Sequence, residues 1–278
     1  MNDELFVDAA WLAAHLNAPN LVVVDTRSTP HGAPGQTGPS GREQYAQGHI
    51  PGAVHLDYAE DLHDLATPYA ARVAPPQRFA EVAGKAGIGD ETLVVAYDEG
   101  NVPYAARMVW MLRYYGHDAA KILAGGIKEW TAAGHPLTAE VSQPHVRRFT
   151  PRERPALRAA RDEVIAVAEG RSEAQLLETQ RDGTYALRDR DIKGARRLSA
   201  SQLLEDARGG RIAPAERLRE LVGGLDPKKR TIVSCGSGVG AAGSYLALLE
   251  AGFSDVAVYD GSWMEWSHDD LPTVPKPG

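Results

Sequence analysis

The sequence predicts an α/β protein made of two similar halves, each a mostly parallel sheet flanked by helices. Three observations carry this. Apolar runs rich in β-branched residues alternate with helix-spaced segments, the pattern of a parallel sheet covered on both faces. The same order of segments occurs twice: the strand ends at Asp98 and Cys235 lie 137 residues apart, and Trp130 and Trp266 lie 136 apart. A period that long marks duplicated domains, not a short-repeat solenoid. Finally, 278 residues, 43% of them hydrophobic and 24% charged, suffice for two medium domains of ordinary globular composition.

In the first half, Leu21-Val22-Val23-Val24-Asp25 is an apolar run ending in an acid, as a buried strand would. A Gly/Pro-rich stretch over 30–41 follows, then Gly48-His49-Ile50-Pro51-Gly52-Ala53-Val54, a turn leading into a short strand. Leu93-Val94-Val95-Ala96-Tyr97-Asp98 is the next buried strand. Residues 104–115 have helical spacing of large apolar residues, and Gly116 stops them. The half closes with a strand over 119–123, Gly125-Gly126 and a short helix carrying Trp130.

The second half repeats this order. Leu176-Leu177-Glu178-Thr179 copies the first strand, and Asp191-Ile192-Lys193-Gly194-Ala195 takes the place of the His49 turn. Arg230-Thr231-Ile232-Val233-Ser234-Cys235 matches the strand that ends at Asp98, so Cys235 falls where Asp98 falls. A helix over 244–251 stops at Gly252, and Val256-Ala257-Val258-Tyr259 leads to Asp260-Gly261-Ser262 and Trp266. The crossovers are expected to be right-handed. Between the halves, 138–158 is rich in proline and arginine and reads as a linker laid on the surface, punctuated by Val146 and Phe149. The division expected is 1–139, a linker over 140–158, and 159–278.

Composition removes several functions. A net charge of −7, from 37 acids against 30 Lys and Arg, argues against a nucleic-acid or anionic-membrane binder, which needs a cationic excess. No apolar run reaches the ~18 residues of a membrane span. Cys235 is the one cysteine, so neither an internal disulfide nor a multi-cysteine zinc site is expected. Asp3 and Glu4 stand where a signal peptide would be basic, so a cytoplasmic location is expected.

The most informative stretch is Ser234-Cys235-Gly236-Ser237-Gly238-Val239-Gly240-Ala241-Ala242-Gly243-Ser244. A cysteine leaves a buried strand, and small residues then open a helix. Small side chains let successive amides turn inward as an anion cradle, and the positive helix end points at the same spot. A thiol there is expected to ionise more easily than a free one. The competing reading is an inert buried cysteine whose glycines merely permit tight packing.

The cysteine loop, the Gly48–Leu56 turn, the 104–117 helix, the Gly125-Gly126-Ile127-Lys128-Glu129-Trp130 turn and Tyr259-Asp260-Gly261-Ser262-Trp263-Met264-Glu265-Trp266 together resemble the two-domain rhodanese-type sulfurtransferases. The resemblance runs from about residue 8 to 272. It implies tandem rhodanese-like domains, of which the first (1–139) is non-catalytic and helps form the cleft, while the second (159–278) carries the nucleophile. Cys235 is then the catalytic residue, and Gly236, Ser237, Gly238, Val239 and Gly240 cradle the sulfur. The resemblance further implies a small anionic donor, thiosulfate or 3-mercaptopyruvate, and cyanide or a thiol as acceptor, a thioredoxin-like protein among them. No cofactor or metal is implied.

Within the family, the loop is similar to the CGSGVT loop of the mercaptopyruvate branch, but Gly240 stands in place of the threonine. That branch has two arginines where this chain has Gln180 and Thr184; Arg181 and Arg188 lie close by, out of register, and are the expected donor-binding cations. The Asp and His of the branch's relay match Ala59 and Ala71 or Arg72, so the relay is not expected here. Residues 181–197 hold six cations and three acids, which reads either as a donor-binding segment or as a solvated loop.

Other candidates read as structural. Asp25 and Arg27 read as a strand-end pair, and His49 as a hydrogen-bonded imidazole in its turn. Trp130, Trp263 and Trp266 read as core or interdomain packing. Arg107 reads equally as a cleft residue or as a helix-surface charge. Two further functions compete with sulfur transfer. A phosphatase would need an arginine closing a C-x5-R loop, and that position is Ala241. A persulfide carrier or sensor that binds a protein partner with little donor turnover stays open.

Overall fold

The computed structural model describes residues 2–28, 38–69, 72–205 and 210–276. The chain divides into two compact units, one of residues 1–66, 73–154 and 208–211, the other of 67–72, 155–207 and 212–278.

Twelve strands are described. In the first unit these are β1 (Phe6–Val7), β2 (Leu21–Asp25), β3 (Val54–His55), β4 (Leu93–Tyr97) and β5 (Ala120–Leu123). The second unit has β6 (Arg158–Ala159), β7 (Gln175–Glu178), β8 (Arg190–Ile192), β9 (Ala195–Arg197), β10 (Thr231–Ser234), β11 (Val256–Tyr259) and β12 (Thr273–Pro275). The first sheet has the order β1-β5-β4-β2-β3 and the second β6-β11-β10-β7-β9. All pairings within these two sheets are parallel. The α/β expectation of parallel sheets flanked by helices therefore holds, with one addition: β8 pairs antiparallel with β12.

The two units repeat each other down to single hydrogen bonds. Asp25 pairs with Tyr97 across β2 and β4, and Glu178 with Ser234 across β7 and β10. The Thr26 hydroxyl donates to the Tyr97 carbonyl at 2.8 Å, and the Thr179 hydroxyl to the Ser234 carbonyl at 2.9 Å. The Trp130 indole donates to the Pro136 carbonyl at 2.9 Å, and that of Trp266 to Pro272 at 3.0 Å. Both indoles are buried in their own unit's core, Trp130 with Leu12, Val95 and Tyr97, and Trp266 with Val164, Ile232 and Ala257.

Several boundaries differ from the sequence reading. The helix after Cys235 is Val239–Ala251, five residues longer at its start than expected, because Gly238 takes a left-handed conformation (φ +84°) and the small residues after it are already helical. A side chain at Gly238 would lie 2.4 Å from the Asp260 carbonyl oxygen, so glycine is required there. Short edge strands β1 and β6, two residues each, carry too few apolar positions to be seen by periodicity. In the segment between the halves, Phe149 is buried as expected, but Val146 is 75% exposed and anchors nothing. Part of the Gly/Pro-rich stretch, 30–37, lies outside the described residues. No described helix is long and apolar enough to cross a membrane.

Candidate active site

Cys235 leaves the end of β10 and is buried. Its Sγ accepts the Gly238 amide at 3.2 Å, and the amides of Ala241 and Ser237 also favour a charged sulfur. This is an amide cradle at the start of a 13-residue helix. A side chain at Gly240 would meet Sγ at an ordinary contact distance of 3.6 Å, so no close approach to the cysteine requires glycine there.

The expected drop in thiol pKa is not what the environment gives. Burial, and next the nearby Glu178 carboxylate, push the Cys235 thiol up from its ordinary value, over the opposing pull of the three amides. The helix end and the amides are legible in the sequence, whereas a carboxylate brought alongside from β7 is not.

Glu178 sits at the end of β7, opposite Ser234, whose hydroxyl donates to its Oε2 at 3.2 Å. Burial pushes its carboxyl up to about 7, although Arg188 pulls the other way. Its Oε1 is buried without a hydrogen-bond partner. The sequence carried one signal for it: Asp25, the acid ending the equivalent strand of the first half.

Arg188 is buried rather than solvated. Its Nη2 lies 2.8 Å from Asp191 and 3.3 Å from Glu178, and its Nη1 donates to Gln180 Oε1 at 3.0 Å. The guanidinium stacks near the rings of Trp263 (4.3 Å) and Tyr185 (4.8 Å). With its oxygen held by Arg188, the Gln180 carboxamide turns its Nε2 toward the cysteine loop, 3.1 Å from where a Gly236 side chain would begin. Arg181 is exposed and makes no side-chain bond among the described residues. The other arginines of 181–197 are engaged: Arg197 with Asp182, Arg196 with the carbonyls of Gly223 and Leu221, and Arg190 with Thr273.

In the first unit the equivalent loop holds a carboxylate where the second holds sulfur. Asp98 Oδ1 accepts the amides of Gly100, Asn101 and Val102 at 2.8–3.3 Å, and Oδ2 those of Tyr104 and Ala105 at 3.2 and 3.4 Å. Even so, complete burial raises the Asp98 pKa.

The residues read as structural are largely that. Arg27 donates from Nε and Nη2 to Asp25 at 2.6–3.0 Å, and Tyr97 adds its hydroxyl at 2.7 Å. His49 bridges the carbonyls of Tyr45 and Glu140. Arg107 is no helix-surface charge: it is buried, its guanidinium 4.5 Å from the Trp110 ring. Trp263 is only partly buried and lies against Arg188. Of the positions matching the family's relay, Ala59 carries no polar side chain, Ala71 lies outside the described residues, and Arg72 donates to Glu265 Oε2 at 3.0 Å. No group of three or more potential metal ligands occurs among the described residues.

The two-unit fold has known relatives. The family model for the rhodanese-like domain matches twice, at residues 8–133 and 162–269. Thiosulfate sulfurtransferase from Bos taurus is 32% identical over 94% of this chain and 91% of its own. The 3-mercaptopyruvate sulfurtransferase of Escherichia coli strain K12 is also 32% identical, over 99% of each chain. The crystal structure of SseA from Escherichia coli, a 3-mercaptopyruvate sulfotransferase, superposes with a TM-score of 0.82 at 31% identity, covering 93% of this chain and 98% of that one.

Proposed function

This chain belongs to the rhodanese family as a sulfurtransferase of the thiosulfate and 3-mercaptopyruvate kind, and from that premise we propose that Cys235 carries the transferred sulfur as a persulfide. The observation that supports this most is the placement of Sγ at the focus of the loop amides, with the Gly238 N–H at 3.2 Å.

In the first step the Cys235 thiolate attacks the sulfane sulfur of thiosulfate, and the S–S bond breaks with its electron pair leaving on sulfite. With 3-mercaptopyruvate it attacks the thiol sulfur; the C–S bond breaks and the carbon takes a proton to give pyruvate. In the second step a thiol or cyanide attacks the outer sulfur and regenerates the Cys235 thiolate. Of the loop 236–240 and the first helical turn after it, the amides of Ser237, Gly238 and Ala241 hold the anion at both stages. Such two-step covalent catalysis gives ping-pong kinetics. Because the resting thiol is pushed up, turnover should rise with pH on its acid limb.

Donor capture is assigned to Arg181, the arginine of 181–197 that makes no side-chain bond among the described residues, with Arg188 acting from behind by fixing the Gln180 amide. A neutral amide beside the loop suits a singly charged carboxylate better than a dianion, so 3-mercaptopyruvate is the preferred donor and a small thiol or thioredoxin-like dithiol the acceptor. The first domain, residues 1–139 with 140–154 attached to it, is assigned as non-catalytic, since a carboxylate at Asp98 cannot carry sulfur, and 159–278 as the catalytic one.

The test is kcat/KM for thiosulfate and 3-mercaptopyruvate with one acceptor, on wild type, Cys235→Ala and Arg181→Ala. Cys235→Ala should lose transfer with its fold intact, and Arg181→Ala should raise donor KM more than it lowers kcat. Full activity in Cys235→Ala overturns the persulfide. A donor KM unchanged in Arg181→Ala and in the Arg181→Ala/Arg188→Ala double variant overturns the role of the segment. The burial of Cys235 and its raised thiol also favour a second reading, a carrier that loads slowly; a stable added sulfur by mass spectrometry without turnover would select it.

A further inference from the structure

Among the described residues, Ser262 is one of three non-glycine residues with left-handed backbone, at φ +51°. An L-residue with a Cβ adopts that region at a cost of roughly 1–2 kcal/mol, and Ser262 is buried besides. The duplication shows the unstrained alternative. Gly126, 136 residues earlier, occupies the equivalent place with φ +57°. A Cβ there would lie 2.2 Å from the Asp98 carbonyl oxygen, so the first unit has no room for a side chain.

The second unit has made that room and uses it on the cysteine. Ser262 Oγ accepts the Cys235 amide at 3.1 Å and donates its own proton to the Tyr259 carbonyl at 2.8 Å. The next two amides hold the same loop, Trp263 N–H on the Cys235 carbonyl at 3.0 Å and Met264 N–H on the Gly236 carbonyl at 2.9 Å. The Trp263 bond has its first-unit counterpart in Ile127 N–H on the Asp98 carbonyl, also 3.0 Å. The serine bond has none, because glycine brings no hydroxyl. Each loop thus carries one strained residue at a different place: Val102 (φ +76°) in the Asp98 loop, where the second unit has Gly238, and Ser262 beside the thiol, where the first unit has Gly126. Only the strain at Ser262 brings a side-chain hydroxyl to the residue that ends the strand.

We propose that Ser262 is a positioning residue for Cys235: its hydroxyl, aimed by Tyr259, fixes the Cys235 amide and so the direction in which Sγ meets the amides of Ser237, Gly238 and Ala241. The role rests on the reading of Cys235 as the sulfur-carrying group. Losing the hydroxyl leaves the buried Cys235 N–H without its acceptor and frees the residue to turn, which weakens the amide support of the thiolate.

The test uses the full chain with Ser262→Gly, which keeps the left-handed backbone without strain, and Ser262→Asn, a residue type that tolerates that region and returns a side-chain acceptor. Three readouts are compared: the pH profile of Cys235 alkylation by iodoacetamide, kcat and donor KM of sulfur transfer, and the thermal midpoint. In Ser262→Gly the alkylation profile should move to higher pH and kcat fall about tenfold, the size of one buried hydrogen bond. Donor KM and the thermal midpoint should hardly change. Ser262→Asn should bring the profile back toward wild type. A profile in Ser262→Gly superimposable on wild type, or one displaced equally in both variants, overturns the proposal. Transfer surviving in Cys235→Ala would instead remove the reading of Cys235 itself, whatever Ser262 does.

Discussion

Cys235 and Asp98 occupy the same turn after the same strand, and burial works against the charge of both. The difference lies in what stands beside them. Asp98 is surrounded by five amide donors, whereas Cys235 also feels Glu178, a carboxylate at the end of the neighbouring strand. Glu178 in turn faces Arg188 and Asp191 from the following segment and Ser234 from β10. Its folded pKa is about 7 against an ordinary 4.5, so the folded protein holds this proton more tightly than the unfolded chain does. By linkage, its contribution to stability is fully present below pH 4.5 and is lost as pH rises through about 7. Glu178→Gln, which cannot titrate, should remove that component: thermal midpoints recorded from pH 4.5 to 8 should fall less steeply toward pH 8 than in wild type. The same substitution removes the charge that raises the thiol, so Cys235 alkylation should shift to lower pH. Equal slopes in the two proteins would show that Glu178 does not titrate in this window.

At the scale of elements, the long strands and the 103–114 helix were legible because each carries enough apolar residues to show its period, and the strand-to-helix cysteine loop because glycines and small residues mark it. What could not be read were contacts that form only when register is set. The excess positive charge of 181–197 was visible, but not that Arg188 is consumed by Glu178 and Asp191, ten residues back and three on. The Ser262 bond to Cys235 joins residues 27 apart, with no local pattern to announce it. The Asp98 loop yields the element-scale prediction. An asparagine there keeps one acceptor oxygen but turns an NH2 toward amides that need an acceptor. Asp98→Asn should therefore lower the unfolding free energy by about 2 kcal/mol, the range for hydrogen bonds lost from a charged group. Urea unfolding measures this. Sulfur transfer should stay within twofold of wild type, and a large loss of kcat would contradict a silent first domain.

For the whole molecule, the duplication sets where the chain can be cut. The sequence places a boundary at 139, yet residues 140–154 cluster with the first unit. Arg147 N–H binds the Gly84 carbonyl, Thr150 binds Asp90 through both its amide and hydroxyl, and Arg152 and Arg154 amides bind the carbonyls of Tyr115 and Tyr114. Phe149 packs edge-on against Phe79, with ring centroids 5.4 Å apart, and Arg154 forms a paired bridge to Asp118. Tolerance to truncation follows from the burial and hydrogen bonding of the backbone removed. A fragment ending at 139 strips a buried aromatic, worth about 2–3 kcal/mol in transfer alone, together with these backbone bonds. A fragment of residues 1–154 should accordingly unfold cooperatively, and one of residues 1–139 should show a clearly lower urea midpoint or no transition. Neither should gain sulfur on incubation with thiosulfate or 3-mercaptopyruvate, since the fragment has no cysteine. Equal midpoints for the two fragments would mean that 140–154 is an unattached tether, and the boundary would return to 139.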